Sequence, residues 1–360
     1  MNALFELIQM SIGARNSFSE VPASRSDWEA LSKVAAEHNL LGVTFPVIDR
    51  LHDTMEIPLS VYSRWALAAE KIREKNASHL YYCKRITGRF ANHGMRSCIL
   101  KGQGAAALYP DPSLRQSGDI DIWLEGTRDE TVKFLRERFT LRKIVYHHCD
   151  VRMLKDCGVE VHFTPSWMNS PFANRRLQKW FAANADAQFS NFSEALGFCV
   201  PTLRFNAVYM LLHIYRHVLD EGIGLRQLLD YYYVLKHLDE ADRRWAAGEL
   251  EHLGLLKFAS AVMYVMQEVF NVDAALLYCS PDAAGGEFLL DEIMLSGNFG
   301  KYDPRNAHSK GEGLFAHGWR KFIRGVRYFL HYPSEVFWMP LYMCWQYFWR
   351  RKHNYLYKGR

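Results

Sequence analysis

Asp119 and Asp121, separated by Ile120 in the string Arg115-Gln116-Ser117-Gly118-Asp119-Ile120-Asp121-Ile122, are the residues whose type and spacing speak most directly of chemistry. In a strand, residues two apart point to the same face, so these carboxylates share one. Like charges so close repel unless a proton or cation intervenes, and the cation that carboxylate oxygens suit is a hard one such as Mg2+. Glu160, in the alternating string Val159-Glu160-Val161-His162, supplies a third carboxylate in a strand-like setting. Upstream, Ile99-Leu100-Lys101-Gly102-Gln103-Gly104 is an apolar run ending in a glycine-rich turn. That pattern reads as a strand feeding a helix, where glycine lets the backbone turn sharply and approach a phosphate.

The surrounding periodicities supply elements to hold these groups. Lys143–Tyr146 through Val151–Leu154 can pair with the Glu160 strand as a hairpin across Lys155-Asp156-Cys157-Gly158, which would bring Glu160 beside the aspartates. Thr127–Phe139 has helical spacing at Val132, Leu135 and Phe139 and reads as a supporting helix. Residues 1–94 read as helical. Ser26-Asp27 offers a cap before Trp28, Leu31, Val34 and Ala35, and a long periodic run from Pro58 through Phe90 stops at His93-Gly94 and should pack across the sheet. His38, at a helix end, reads as a C-terminal cap favoured by the helix dipole. Asn174–Phe181 reads as a solvated amphipathic helix, with an acceptor-facing basic ridge as the alternative.

A strand, a glycine turn and a short helix, then hydrophobic-Asp-hydrophobic-Asp, then an acidic residue in a later strand, together resemble the polymerase-beta type of nucleotidyltransferase. The fuller string Leu100-Lys101-Gly102, Leu108-Tyr109-Pro110, Arg115 and Gly118-Asp119-Ile120-Asp121 is similar to a bacterial branch of mostly uncharacterised nucleotidyltransferases. That branch also shows a later stretch like Leu212-His213 to His217, Gly224-Leu225-Arg226-Gln227 and Asp230. The likeness spans roughly residues 28 to 240, an ordinary size for such a region. Better-studied members read Gly-Ser or Gly-Gly where this chain has Lys101-Gly102-Gln103, so a serine hydroxyl that would touch phosphate is missing.

The resemblance implies an α+β fold: a nucleotidyltransferase-type mixed sheet with an N-terminal helical layer and a C-terminal helical domain. It implies Mg2+ or Mn2+ held by Asp119, Asp121 and Glu160, with a nucleoside triphosphate as substrate. Lys101, Gly102, Gln103 and Arg115 are the implied phosphate contacts, and Arg226 would meet phosphate with Asp230 holding its guanidinium. Arg226 and Asp230 lie one helical turn apart, so a plain intrahelical ion pair explains them as well. The acceptor hydroxyl, on a small molecule, a protein or an RNA end, is open, as is a catalytically inactive sensing or scaffolding role. Two other readings use the same residues. Gly102-Gln103-Gly104-Ala105-Ala106-Ala107 fits a dinucleotide fingerprint, and the aspartates can be ordinary loop-edge acids neutralised by Arg115 and Lys101.

Composition narrows the setting. The chain has 360 residues, 49% of them apolar, enough for a large core and more than one domain. The divisions expected are 1–94 helical, 95–200 the α/β core, 201–300 a helical domain beginning at Pro201, and 301–360 a loop with a basic, aromatic segment. A net charge of +5 gives little reason to expect a dedicated nucleic-acid groove. Seven cysteines without a CxxC pair fit a reduced, cytoplasmic setting, and no segment reads as a signal peptide or a membrane span. His213 and His217 share a helical face but lack the Glu of a zinc HExxH motif. Tyr302–Gly313 reads as an exposed loop. Beyond it, Arg320, Lys321, Arg324, Arg327, Arg350, Arg351, Lys352, Lys358 and Arg360 flank Phe337, Trp338, Tyr342, Trp345, Tyr347, Phe348 and Trp349. Residues 320–360 therefore suit peripheral membrane contact or single-stranded nucleic acid, unless the aromatic face packs on the helical domain.

Overall fold

The computed structural model describes residues 2–306 and 314–353; the loop residues 307–313, and Lys358 and Arg360 of the basic segment, lie outside the described residues. The chain divides into two compact units, each assembled from three stretches: a helical unit of 2–77, 106–116 and 210–306, and a sheet unit of 78–105, 117–209 and 314–353.

The sheet unit holds seven strands among the described residues: β1 (Ser97–Ile99), β2 (Ile120–Leu124), β3 (Thr140–Ile144), β4 (His148–Arg152), β5 (Val159–His162), β6 (Phe192–Ser193) and β7 (Phe198–Cys199), in the order β3-β4-β5-β2-β1-β7-β6. It is mixed. β2 runs parallel to β5 and antiparallel to β1, and β4 and β5 form the expected hairpin across residues 153–158. Strand alternation gives the sheet two chemically different faces. One buries Ile120, Ile122, Val159, Val161, Cys149 and Val151 against Cys83, Ile86 and Phe90 of the helix Leu59–Ala91 and Val132 and Leu135 of the helix Arg128–Arg138. A capping box, Thr127 with Glu130, starts the second of these helices. The opposite face carries the charged side chains.

Because β1 and β2 are antiparallel, they cannot be the two strands of a βαβ crossover. The helix between them, Gln103–Ala106, has four residues. Both facts exclude the dinucleotide-fold reading.

In the helical unit, Leu256–Phe270 packs against Ala283–Ser296 so closely that a Cβ on Gly286 would fall inside the Tyr264 side chain. Helix Asn2–Ser11 joins them, its Gln9 donating to the Val269 carbonyl at 3.1 Å. The second helix, Arg25–Glu37, is capped by Ser24 rather than by Ser26: Ser24 receives the Asp27 amide while the Asp27 carboxylate takes the Ser24 amide. His38 stands at its C-cap as expected, yet it is buried and its Nδ1 accepts from the Leu225 amide at 3.3 Å. Burial outweighs the helix dipole there and pulls the imidazole pKa down to about 4, so the ring is neutral.

The C-terminal segment folds as two helices, Leu314–Phe329 and Pro333–Lys352, in the sheet unit. Buried Glu335 fastens the second, its carboxylate accepting from the backbone amides of Asn169 and Ser170 at 2.6 and 3.0 Å. Arg128 stacks over Tyr146 and Trp349, adding a second attachment within the same unit. The aromatic face is not wholly packed away: Phe337, Trp345, Tyr347 and Phe348 remain exposed. No helix among the described residues is long and apolar enough to cross a membrane.

Candidate functional site

Strand register assembles the charged face. Asp121 of β2 lies opposite Glu160 of β5, which lies opposite Asp150 of β4, so three carboxylates form one row across three strands. Two residues along, and therefore on the same face, Trp123, His162 and His148 form a second row. Trp123 packs on Phe181, Phe189 and Phe205, which anchors that end of the face in an aromatic cluster.

The rows interlock through imidazole. His162 Nε2 is 3.0 Å from Asp121 Oδ1 and 3.5 Å from Glu160 Oε2. Burial works against a charged His162 ring, but the hydrogen bonds it donates to the two carboxylates outweigh it and raise its pKa. Burial likewise pushes the Glu160 carboxyl up, and the His162 hydrogen bond reverses this, leaving its pKa below the ordinary value. His148 Nε2 contacts Asp150 Oδ1 at 3.1 Å, its Nδ1 lies 3.6 Å from Glu160 Oε2, and His147 Nε2 is 2.7 Å from the same Nδ1. Lys101 reaches in from the loop after β1, with Nζ 3.0 Å from Asp121 Oδ1.

Asp119 lies just before β2 and is exposed, its carboxylate against Gly158: a Cβ there would come within 2.7 Å of Asp119 Oδ1. Gly102 has φ +55°, the left-handed backbone that a side chain disfavours, and it turns the chain out of β1 toward the buried Gln103. The helix that follows is a single turn, so its dipole offers a phosphate less than a full helix would.

The remaining predicted residues meet in the helical unit. Arg115 grips Asp230 with two hydrogen bonds, Nε to Oδ1 at 2.6 Å and Nη2 to Oδ2 at 2.7 Å. Arg226 adds Nη1 to Oδ2 at 3.0 Å, and the Tyr109 hydroxyl donates to Oδ1 at 2.6 Å. All four are buried. Burial raises the Asp230 carboxyl, but the two guanidinium charges dominate and hold its pKa low. Asn76 fixes the approach of this loop by donating to the carbonyls of Ser113 and Arg115.

A family model described as uncharacterised nucleotidyltransferase matches residues 24–271. The chain belongs to this family. Membership in the nucleotidyltransferases supports a general role in nucleotidyl transfer, and hence a transferase with a nucleoside triphosphate substrate. No curated protein matches the chain. Among solved structures, the chain is similar to an antigenic nucleotidyltransferase-like protein from Paracoccidioides brasiliensis, at 12% identity and a TM-score of 0.35, over 58% of this chain and 96% of that one.

The residues expected of a nucleotidyltransferase site thus fall into two sets. Lys101, Asp121 and Glu160 gather on the charged face, with Gly102, Gln103 and Asp119 on the segments leading to it; Arg115, Arg226 and Asp230 form a cluster of their own. Lys101 meets a carboxylate, and Arg115 and Arg226 engage Asp230. His148, His162 and Asp150 were not expected at the site. The signal for His162 was its place two residues after Glu160; for His148 and Asp150 it was the hairpin, once its register is fixed at Asp150 opposite Glu160. The His213–His217 pair has rings 4.3 Å apart, with His217 hydrogen-bonded to Glu221.

Proposed function

We propose that the charged face of the sheet binds a nucleoside triphosphate with Mg2+ or Mn2+ and transfers its nucleoside monophosphate to an acceptor hydroxyl. The observation that carries this reading is the register of Asp121 with Glu160 on one face, with Asp119 two residues before Asp121. The donor set fits hard divalent ions, since it presents carboxylate oxygens from neighbouring strands. Bound there, such ions would neutralise charge on the attacking and leaving oxygens. Asp119 and Asp121 would hold them, with Glu160 completing the set.

In the reaction, the acceptor oxygen forms a bond to the α-phosphorus, the bond from that phosphorus to the β-phosphate bridging oxygen breaks, and pyrophosphate leaves. Glu160 would either complete the attacking-side metal set or accept the acceptor's proton. Lys101 would orient the triphosphate by exchanging its Asp121 contact for phosphate oxygen, and Gly102 would let the backbone approach. The acceptor is a small molecule or a protein in preference to RNA, because the net charge of +5 is small for a phosphate-tracking protein.

The deciding experiment is a thermal-shift screen of ATP, GTP, CTP and UTP with Mg2+ or Mn2+, beside Asp119→Asn/Asp121→Asn. A triphosphate at 100 times its Kd should add about 2.7 kcal/mol of stability to the wild type and nothing metal-dependent to the double variant. An unchanged shift in that variant overturns the carboxylate assignment. Pyrophosphate release then separates a transferase from an inactive sensor, and a steep salt dependence of RNA binding would point to an RNA-end acceptor.

A second reading concerns the C-terminal segment. Along helix Leu314–Phe329, Trp319, Phe322, Ile323, Val326 and Phe329 are all exposed, while Arg324 and Tyr328 are buried. That spacing is one continuous helical face turned outward. With exposed Arg351 and Lys352 ending the next helix, it suits the surface of an anionic bilayer. Sedimentation with phosphatidylserine vesicles, lost on Phe322→Glu/Val326→Glu, is the expected result; equal sedimentation of both proteins overturns it.

A further inference from the structure

The charged face contains a second donor set that carboxylate chemistry alone does not explain. His148, Glu160 and His162 each offer a ligand atom, and the three atoms lie within 4.8 Å of one another. Glu160 Oε2 is central, 3.6 Å from His148 Nδ1 and 3.5 Å from His162 Nε2. Donors around a tetrahedral ion with bonds of about 2.0–2.1 Å stand roughly 3.4 Å apart, so both separations are close to a ligand edge.

The outer contacts support the same geometry. Asp150 sits 3.1 Å from His148 Nε2, and an ionised carboxylate can only accept, so that nitrogen carries a proton, while Nδ1 on the other side of the ring lies between His147 Nε2 at 2.7 Å and Glu160 Oε2 at 3.6 Å. A carboxylate behind a histidine, fixing its tautomer and orientation, is the arrangement found around metal-binding imidazoles. Asp121 Oδ1, 3.0 Å from His162 Nε2, stands next in line as a further oxygen ligand. His162 is 97% covered, and its Nδ1 is buried without a hydrogen-bond partner, so its polar contacts are made through the nitrogen facing the carboxylates. Two imidazole nitrogens beside a carboxylate are a poor site for Mg2+, which demands oxygen, and a good one for first-row transition ions.

We propose that His148, Glu160 and His162 form a binding site for a divalent transition-metal ion of the zinc type, selected over Mg2+ by its two nitrogen ligands. Glu160 belongs both to this site and to the triphosphate site proposed above. The inference deepens that reading by naming a second class of metal, and it rests on it only for what the ion does in the reaction. The ion would tie Glu160 and His162 of β5 to His148 of β4 and supply positive charge beside Asp121.

Cobalt(II) serves as the probe, because its visible d–d bands report coordination without nucleotide or activity. The full-length protein, stripped with chelator, should bind one equivalent of Co2+ with bands typical of four or five ligands. Zn2+ should displace it, and Mg2+ at a thousandfold excess should not. His148→Gln and His162→Gln should each weaken Co2+ at least tenfold, and Asp150→Asn should weaken it about tenfold while keeping the band positions. Circular dichroism of each variant separates loss of a ligand from loss of fold, and His148→Gln alone suffices if His162→Gln unfolds. Asp119→Asn should change Co2+ affinity less than threefold, whereas the triphosphate reading requires it to impair Mg2+-dependent nucleotide binding. Failure of nucleotide binding with Co2+ bands intact therefore leaves this site standing. Absent bands in folded wild type, bands unaltered by folded His148→Gln, or displacement by Mg2+ as readily as by Zn2+ would overturn it.

Discussion

Two clusters of acid and base, one in each unit, are built to opposite ends. In the helical unit Asp230 is surrounded: two arginines and a tyrosine hydroxyl donate to its two oxygens at 2.6 to 3.0 Å, with every member buried. In the sheet unit, three carboxylates stand in a row with one lysine and with imidazoles whose charge follows their protons. The first cluster has more fixed positive than negative charge and donors already aimed at their acceptor. The second has more carboxylate than fixed positive charge. A pin needs saturation, because a buried charge left alone is costly; a site for cations needs the reverse.

Neutralising the two aspartates should break the symmetry between them. Asp230→Asn leaves Arg115 and Arg226 buried without their counterion, and the expected loss of stability in urea unfolding is about 3–5 kcal/mol. Asp121→Asn should cost about 1 kcal/mol while removing metal-dependent triphosphate binding. Equal losses for the two variants would mean that both clusters are pins.

The buried histidines sharpen the contrast. His38 meets a backbone amide and is driven down to about 4 by burial; His162 meets carboxylates, and its pKa is raised. Because the fold prefers His38 neutral, its contribution is complete above the ordinary pKa of 6.5 and is lost as pH falls toward 4. His162 has the opposite sign: its contribution is present below the ordinary value and is lost as pH rises through the raised one. Unfolding free energies from pH 7 to pH 4 should therefore fall less in His38→Gln than in wild type, by as much as about 3 kcal/mol.

The smallest effect concerns Asp119. Gly158→Ala puts a methyl group where the Asp119 carboxylate now rests, and the flexible side chain should swing aside for less than about 1 kcal/mol. Mg2+-dependent nucleotide binding should weaken about tenfold, a loss of about 1.4 kcal/mol. A strong destabilisation instead would make Asp119 part of the frame.

Two of the three members of the carboxylate row were readable because alternation has a fixed period: Asp121 and Glu160 follow from hydrophobic-acid-hydrophobic strings that can be buried on only one face, whereas Asp150 joins them only through the hairpin register. The supporting helix Arg128–Arg138 and the long helix Leu59–Ala91 followed from the same logic at a period of 3.6. The imidazoles were not readable, since His148 reaches Glu160 only through a hairpin register that no local pattern specifies. Arg226 and Asp230 announced themselves as a helical pair, but the stronger grip of Arg115 on Asp230 spans 115 residues and leaves no trace in spacing. Ser24, not Ser26, is the cap: it stands outside the helix with extended backbone and exchanges bonds with Asp27, whereas Ser26 already lies within the first turn.

Glu335 gives the protein a timetable. The amides of Asn169 and Ser170, at the start of helix Pro171–Ser190, wait for a carboxylate 165 to 166 residues further along the chain. At roughly 5–20 residues per second, a ribosome takes roughly 10–30 seconds to make that stretch. During that interval the nascent sheet unit must persist without helices Leu314–Phe329 and Pro333–Lys352, and a chain cut short before Glu335 lacks the carboxylate that these two amides meet.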